Sequence, residues 1–330
     1  MTAREPILVT GATGFIGRRV VARLVAEGVR VRALVLPAEV ATAGAGFAGD
    51  VEVSAGDIGD AAAVAAATRG VSGIIHLAAV VGDWGPAALF ERVTVQGTRN
   101  VIDGAVAAGV RLVLASSIVF YGDALGRDVC DEAHPVGRPL GHYSRTKQQQ
   151  EQLAREAEAR RGLELVVVRP GNVYGVGSKL WVDEVVAQLR RGMPVLIDGG
   201  HQHAGLAHVD AVVDVLVRAL ETPAARGRVY NANDGGDVTW ARYFGDLARL
   251  IGAGTPRSLP RWLVDGLARA GEAVWTRLGR ASRPPITREA VNLVGSHHRT
   301  PIERARRELG FVPPVAYDDA IRAIGRSLNR

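Results

Sequence analysis

A tyrosine and a lysine stand four positions apart in the stretch YSRTK, at Tyr143 and Lys147. The chain has two lysines and six tyrosines, so about 0.04 such pairs are expected by chance. Residues four apart share one face of a helix, and a cation close to a phenol lowers the phenol pKa from about 10. The pair could therefore transfer protons near neutral pH. The alternative is a helix face on which the lysine is only solvated.

Three glycines in the stretch VTGATGFIG, at Gly11, Gly14 and Gly17, follow a short apolar run and open a predicted helix. Glycines at a strand-to-helix turn let the backbone approach a pyrophosphate, which the positive end of the helix attracts. At the first such turn of the chain they predict a dinucleotide site. The alternative is a tight turn with nothing bound.

Short apolar runs alternate with amphipathic segments through the first half of the chain. We predict strands over 7–10, 29–35, 51–53, 73–78, 111–117, 163–170 and 227–233. We predict helices over 16–27, 60–68, 86–108, 141–161, 180–191 and 207–221. Near-continuous apolar strands that alternate with helices predict a doubly wound α/β fold with a parallel sheet and right-handed crossovers.

The regular alternation weakens after residue 172 and prolines become frequent after residue 256. We therefore expect residues 1–172 and about 206–233 to form a dinucleotide-binding domain. We expect about 173–205 and 234–330 to form a smaller, interleaved C-terminal lobe that binds the substrate.

The composition, with 47% hydrophobic and 22% charged residues, is ordinary for a globular protein. The arginines are scattered, so we interpret the net charge of +6 as diffuse and expect neither a nucleic-acid nor a membrane partner. The single Cys130 and an N-terminus unlike a signal peptide or membrane span predict a cytoplasmic protein. The histidines at 201–203 and 297–298 lack a nearby Cys or acid at ligand spacing, so we expect no metal site.

Seven motifs, in this order, resemble those of the extended short-chain dehydrogenase/reductases: TGATGFIG, GDI, HLAA, GTRNV, LASSIVFYG, YSRTK and RPGNVYG. The resemblance covers residues 7 to about 233. The later segments PPITREAV and RARRELGF are more similar to the 3β-hydroxysteroid dehydrogenase-like branch than to the sugar-nucleotide epimerases. The resemblance implies a Rossmann fold and hydride transfer between a nicotinamide and a carbonyl or secondary alcohol.

The resemblance also implies a role for each matched residue. Tyr143 would be the general acid/base on the substrate oxygen, and Lys147 would bind the nicotinamide ribose and lower the tyrosine pKa. Ser117 would hydrogen-bond the same oxygen, with Ser116 as the less favoured substitute. Asp57, at the end of the third predicted strand, is placed to accept a hydrogen bond from the adenine amine. With Tyr143 and Lys147, the cofactor contacts would be Gly11, Thr13, Gly14, Phe15, Ile16, Gly17, Leu36, Asp57, Ile58, Leu77, Ala78, Ala79, Pro170 and Val173.

The end of the second predicted strand, which usually distinguishes NAD from NADP, carries Val35 and Leu36. These residues supply neither an acid for the ribose hydroxyls of NAD nor an arginine for the extra phosphate of NADP. Without an acid to repel that phosphate we favour NADP over NAD, with Arg18 or Arg32 as the phosphate partner.

Two further positions depart from the family pattern. Thr94 stands where family members often carry the Asn of an NVxGT motif, so an Asn-dependent water relay is in doubt. Ala204 and Gly205 stand where sugar-nucleotide members commonly carry an Arg-Asp pair that grips the diphosphate. Their absence argues against a nucleotide sugar as substrate.

Tryptophans and aliphatic clusters in the expected lid predict an apolar substrate pocket. Trp84, in the loop after HLAAVVGD, would line the pocket beside the nicotinamide, and Asn172 is a second candidate substrate contact. The lid segments also carry Trp181, Trp240, Trp262 and Trp275. The alternative for each tryptophan is an ordinary place in the core.

We therefore expect an NAD(P)-dependent oxidoreductase that acts on a hydrophobic ketone or alcohol, such as a sterol, a 3-keto acyl compound or a polyketide-type ketone. The first alternative is an epimerase or dehydratase, which returns the hydride to its substrate. A remote alternative is a non-catalytic dinucleotide sensor, a class that typically loses the Tyr–Lys pair. The segments 86–108 and 141–161 often pair across a two-fold axis in this family, so we expect a homodimer.

Overall fold

The structure is a computed structural model that describes residues 5–329; residues 1–4 and 330, at the ends of the predicted domains, lie outside the described part. The strands are β1 Ile7–Thr10, β2 Val31–Val35, β3 Val51–Ala55, β4 Gly73–His76, β5 Leu112–Ala115, β6 Leu165–Pro170, β7 Asn172–Tyr174, β8 Leu196–Ile197, β9 Leu206–His208, β10 Val229–Ala232 and β11 Ser258–Leu259. The helices are α1 Phe15–Ala26, α2 Val40–Gly46, α3 Ala61–Ala67, α4 Ala87–Phe90, α5 Gly97–Ala108, α6 His142–Arg161, α7 Glu184–Arg190, α8 Val209–Glu221, α9 Trp240–Leu250, α10 Arg261–Arg277, α11 Arg288–Gly295, α12 Glu303–Leu309 and α13 Tyr317–Leu328.

Seven strands form one sheet in the order β10-β6-β5-β4-β1-β2-β3, and every neighbouring pair is parallel. The apolar runs predicted as strands are buried because helices cover both faces of the sheet. The doubly wound parallel fold is therefore confirmed. The strand order reverses at β1, which pairs with both β2 and β4, and the carboxyl ends of β1 and β4 border the crevice where such folds bind ligands.

The two faces of the sheet hold separate cores. Helices α1, α8 and α12 cover one face, and α3, α5 and α6 cover the other. A third cluster joins α7, α9 and α13 outside the sheet. The predicted domain boundaries stay a prediction. Residues of α12 nevertheless pack in a core of the sheet, although the sequence assigns them to the second lobe.

Three predicted helices differ in detail from the described ones. In the segment predicted over 180–191, a π-helical stretch at Lys179–Asp183 precedes α7. The segment predicted over 86–108 is helical from residue 87 onward, but a π-helical stretch at Glu91–Gln96 joins α4 to α5. The helix predicted to start at 207 begins at Val209, because residues 206–208 pair with β7 as strand β9. The His208 ring then caps α8 by accepting the Asp210 amide at 3.3 Å.

Within residues 5–329, none of the helices combines the length and the apolar character needed to cross a bilayer.

Candidate active site

The glycine turn between β1 and α1 is shaped so that only glycine fits at two of its positions. Gly11 has a φ of +67°, and a Cβ atom there would lie 2.9 Å from the Ala78 nitrogen. A Cβ atom at Gly17 would lie 2.1 Å from the Gly11 oxygen. Among the described residues no side chain caps α1 at Gly14, which leaves first-turn amides available to an anion. This cradle fits the pyrophosphate of a dinucleotide.

A chain of buried hydrogen bonds runs from the glycine turn to the predicted catalytic lysine. Thr10 Oγ1 lies 2.6 Å from His76 Nδ1, and His76 Nε2 lies 3.0 Å from Thr98 Oγ1. Gln150 donates to Thr98 Oγ1 at 2.6 Å and accepts from Lys147 Nζ at 3.0 Å. Burial lowers the pKa of His76 to about 3, so its ring is neutral. The chain therefore fixes both the end of β1 and the lysine without adding a charge.

Helix α6 begins at His142 and places Tyr143 and Lys147 on its first two turns. Lys147 is 3% exposed and donates from Nζ to the Ala115 oxygen at 2.8 Å, at the carboxyl end of β5. Burial lowers the pKa of this lysine to about 8. Tyr143 is half-buried, and the hydroxyl of Ser117, the residue that follows β5 and Ser116, is close enough to lower the pKa of the phenol. The three predicted catalytic residues therefore meet at the carboxyl edge of the sheet.

The predicted lowering of the tyrosine pKa is wrong for this arrangement. Burial raises the pKa of Tyr143 to about 12, and the charge of Glu289 adds to the rise, while the Ser117 hydroxyl opposes it. Lys147 does not offset the rise, because its ammonium is directed at the Ala115 oxygen and at Gln150. A phenol in this state keeps its proton at neutral pH and can act as an acid.

Glu289 is a site residue that sequence reasoning missed. Its carboxylate is 3% exposed, and Oε1 accepts the Ser144 amide in the first turn of α6 at 2.9 Å. Oε2 has no hydrogen-bond partner among the described residues and lies where a Cβ atom on Gly141 would come within 2.3 Å. The N-cap residue of α6 is a glycine, which has no side chain to cap the helix. This glycine is the one local sign that a distant residue caps it instead.

A buried ion pair anchors α6 to β6 one turn beyond Lys147. Arg169 donates from Nε to Glu151 Oε1 at 3.0 Å and from a terminal nitrogen to Oε2 at 2.7 Å. The guanidinium carbon lies 3.6 Å from the centre of the Phe120 ring. A bidentate pair in this environment fixes the rotation of α6 and hence the direction of its catalytic face.

The loop between β4 and α4 is tied to the segment that follows α10. Asp83 accepts hydrogen bonds from Arg283 at 2.6 Å and from the Thr287 hydroxyl at 2.5 Å. Trp84 is half-buried and donates from its indole nitrogen to the Arg280 oxygen at 3.4 Å. The role of Trp84 as a pocket wall stays a prediction.

The chain after β2 brings an acid to the glycine turn, which the sequence argument overlooked. A 3₁₀ turn at Pro37–Glu39, after the exposed Leu36, directs Glu39 back so that its Oε2 accepts from Thr13 Oγ1 at 2.9 Å. Arg18 donates from Nε to the Thr13 oxygen at 2.8 Å. The preference for NADP assumed that no acid lies near the end of β2, and this assumption is wrong. The acid was overlooked because it follows the strand and a turn brings it back to the glycine turn.

Arg32 is excluded as a phosphate partner. It is bound to Glu52 at 2.8 Å and to the backbone oxygens of Ala67 and Arg69 at 2.8 and 2.6 Å. It lies near the amino end of β2, and the glycine turn borders the opposite end of the sheet. The prediction of Arg32 as a phosphate partner was wrong because its position along the strand places it at the amino end of the parallel sheet, away from the cofactor edge.

The other predicted cofactor contacts follow the strand ends. The Asp57 carboxylate accepts the Gly59 amide at 2.8 Å, and this bond and the Arg92 guanidinium at 2.9 Å lower its pKa. Ile58 is buried against Gly97. The others lie in the glycine turn or α1 (Phe15, Ile16), after β4 (Leu77, Ala78, Ala79), at the end of β6 (Pro170) and in β7 (Val173). Their contacts with a cofactor stay predictions.

The departure from the family pattern at Thr94 and the predicted substrate contact Asn172 can now be located. Thr94 is buried and its hydroxyl accepts the Val80 amide at 3.1 Å, so it supports the loop after β4. Asn172 is 4% exposed, and its amide nitrogen donates to the Ala204 oxygen at 2.6 Å and lies 3.1 Å from His298 Nδ1. These bonds use both amide hydrogens inside the protein. The role of Asn172 as a substrate contact stays a prediction.

The lid tryptophans do not share one pocket. Trp240 is fully buried in the cluster of α7, α9 and α13, with its ring centre 4.9 Å from that of Trp181. Trp262 is 74% exposed, and Trp275 is half-buried. Trp240 and Trp262 are therefore not pocket walls. In residues 5–329 there is also no group of three or more His, Cys, Asp or Glu side chains that could hold a metal ion.

Comparison with known proteins agrees with this arrangement. The model of the NAD dependent epimerase/dehydratase family matches residues 7–232. A 4-hydroxy-2-methyl-3-oxo-4-farnesyl-3,4-dihydroquinoline-1-oxide ketoreductase of Stigmatella aurantiaca is 30% identical over 96% of both chains. A 2-alkyl-3-oxoalkanoate reductase of Stenotrophomonas maltophilia is 28% identical over 97% of this chain and 98% of the relative.

Among solved structures, DesIV, a dTDP-glucose 4,6-dehydratase from Streptomyces venezuelae with NAD and TYD bound, superposes with a TM-score of 0.77. It is 25% identical, and the match covers 98% of this chain and 97% of that chain. The family model alone spans more than half of the sequence. This chain belongs to the NAD-dependent epimerase/dehydratase family of enzymes, within the extended short-chain dehydrogenase/reductases.

Proposed function

We propose that this enzyme transfers hydride between a nicotinamide and the carbonyl or secondary alcohol of a hydrophobic substrate, with Tyr143 as the general acid/base. The proposal depends chiefly on one observation: Tyr143 and Ser117 lie together at the carboxyl edge of the sheet, with Lys147 one helical turn away. Whole-length relatives that are named as reductases of oxo compounds support the same reaction class.

The state of the side chains favours reduction. Tyr143, whose pKa burial raises to about 12, is neutral at physiological pH and can donate its proton to the carbonyl oxygen. Ser117 hydrogen-bonds that oxygen and orients it. The reduced nicotinamide, when bound, would supply the hydride and leave in its oxidised form. Lys147, with a pKa lowered to about 8, is mostly protonated at neutral pH and binds the ribose hydroxyls.

For the cofactor we propose NAD. The Glu39 carboxylate beside Thr13 lies where the adenosine ribose would approach the glycine turn, and a negative charge there repels the extra phosphate of NADP. Arg18, on the other side of Thr13, would attract that phosphate. Glu39 and Arg18 therefore have opposite effects on the binding of NADP. Because Glu39 lies beside the glycine turn, we propose NAD in place of the NADP that the sequence favoured.

An epimerase or dehydratase is the second candidate, because the matched family and the superposed DesIV structure carry those names. It would use the same tyrosine but return the hydride to the substrate. The positions that a nucleotide diphosphate would need, at Ala204 and Gly205, supply no charge, which supports the reductase. The two reactions differ in whether the nucleotide is consumed.

The test is to titrate the purified protein with NADH and with NADPH by fluorescence, and then to follow nucleotide absorbance with a panel of hydrophobic ketones. Tyr143→Phe should abolish turnover and leave nucleotide binding nearly unchanged. Tyr230→Phe is the matched control, because its hydroxyl bonds Glu308 on the far side of β10. Retained turnover in Tyr143→Phe would defeat the assignment.

We also propose that the enzyme is cytoplasmic and works as a homodimer that pairs α5 and α6 with their copies. Sedimentation velocity tests the dimer: a monomer at micromolar concentration would contradict it. The mechanism above uses residues of one chain only, so it does not depend on this result.

A further inference from the structure

Helix α10 carries an apolar row that no described element covers. Every fourth residue along it is exposed and uncharged: Trp262, Gly266, Ala270, Val274 and Leu278, the last at the C-cap. The exposed fractions are 74% for Trp262, 48% for Val274 and 59% for Leu278, and the adjacent Leu267 is 50% exposed. Single exposed apolar side chains are common, but a continuous row along one helix face marks an interaction surface.

The same segment concentrates the positive charge of the chain. Residues 257–288 contain seven arginines and two acids, within a protein whose net charge is +6. Both acids are paired, Asp265 with Arg261 and Glu272 with Arg288, and Arg283 pairs with Asp83. The remaining arginines have no acid within 4.0 Å in residues 5–329: Arg257, Arg269, Arg277 and Arg280. The sequence-based interpretation of the charge as diffuse missed this pairing pattern.

We propose that α10 docks on the surface of an anionic lipid bilayer. The helix is 17 residues long, so it would lie along the surface over about 25 Å with its apolar row in the interface. Trp262 would insert its ring at the level of the headgroups, where indole is favoured. Arg269 and Arg277, in the row beside the apolar one, would contact the anionic headgroups.

Charge complementarity selects this partner over the others. A second copy of the chain would bring two sets of unpaired arginines together. The two acids of this segment could not neutralise them, because each is already paired with an arginine of its own chain. A nucleic acid would satisfy the arginines but leave Trp262 and Leu278 in water. An anionic bilayer would both pair with the arginines and remove the apolar row from water. The proposal departs from the sequence-based expectation of no membrane partner, and it does not depend on the proposed reaction.

The test is co-sedimentation of the full chain with phosphatidylcholine vesicles that contain or lack phosphatidylglycerol. The wild type should bind only the anionic vesicles, and salt should weaken binding. The double variant Arg269→Gln/Arg277→Gln should bind about 30-fold more weakly, and Trp262→Ser about tenfold more weakly. Arg326→Gln on α13 and Val312→Ser, both exposed and distant in sequence, are matched controls that should bind like the wild type. Unchanged thermal midpoints show that the variants are folded.

Three results would overturn the proposal. The first is no binding of the wild type to either vesicle. The second is equal weakening by the α10 variants and by the controls. The third is self-association of the wild type that Trp262→Ser abolishes in sedimentation velocity, without any vesicle binding, which would assign the row to a second copy of the chain.

Discussion

Replacing Glu289 with glutamine should remove a large part of the pH dependence of stability. The carboxylate is 3% exposed, with Oε1 on the Ser144 amide and Oε2 without a partner among the described residues. Glutamine keeps the volume and the accepting oxygen but cannot ionise. Glu289→Gln therefore resembles the protonated wild type and changes only the cost of the charge.

The size of the stability change follows from the shift in the pKa of Glu289. Burial, with a further contribution from the charge of Asp83, raises the pKa of Glu289 from 4.5 to about 8. Between these values the folded protein keeps the proton that the unfolded chain has lost, so the free energy of unfolding falls as pH rises through this range. The full shift corresponds to roughly 5 kcal/mol at 1.36 kcal/mol per pH unit. The N-termini of α6 and α11 favour the charged form, so we expect about 3–5 kcal/mol.

The assay is urea unfolding followed by circular dichroism at about pH 4.5 and about pH 8.5. Glu289→Gln should match the wild type at the lower pH and exceed its stability by about 3–5 kcal/mol at the higher pH. Glu303→Gln, whose carboxylate is exposed on α12, is the matched control and should change little at either pH. A difference of the same size at both pH values would refute the reasoning, because it would show a packing effect and not the cost of a buried charge.

The same substitution should also act on Tyr143. The charge of Glu289 is one of the causes that raise the tyrosine pKa, so its removal should move the alkaline limb of the kcat/KM profile to lower pH. If Glu289→Gln changes the stability as expected but leaves the alkaline limb of the kcat/KM profile where it is, the charge of Glu289 does not act on Tyr143.

Three further predictions concern the cofactor and the anchoring of α6. Glu39→Gln should raise NADPH affinity relative to NADH about tenfold, and Arg18→Ala should weaken NADPH alone; fluorescence titrations in which both nucleotides shift equally would contradict this pair. Glu151→Ala leaves the Arg169 guanidinium buried without its carboxylate and should cost about 3–5 kcal/mol in urea unfolding; a loss below about 1 kcal/mol would show that the pair is solvated. Gly17→Ala places a Cβ atom 2.1 Å from a backbone oxygen of the glycine turn and should abolish NADH binding, which calorimetry would detect.

The elements of the sheet could be predicted because their signal is local. The run ILVT at 7–10 is a strand with the predicted bounds, and the amphipathic segment at 141–161 is a helix within one residue. The errors lie where a tertiary contact replaces the local pattern. Residues 207 and 208 belong to a strand because β7 pairs with them, and the π-helical stretch at 91–96 leaves no mark in the periodicity.

The site was predicted in part for the same reason. The spacing of Tyr143 and Lys147 and the glycines of the first turn are short-range patterns, so the sequence located them. Glu39 was missed because a 3₁₀ turn directs it back to Thr13. Glu289 was missed because 145 residues separate it from the amide that it caps.

The sequence by itself determined the alternation of strands and helices, the glycine turn and the tyrosine–lysine pair, because each depends on residues close along the chain. Only the tertiary structure decided the protonation of that pair, the acid that lies beside the glycine turn and the exposed row of α10. Those properties depend on burial and on charges from distant segments. The free energy of a buried charge is set by what surrounds it, and the surroundings are assembled only when the chain folds.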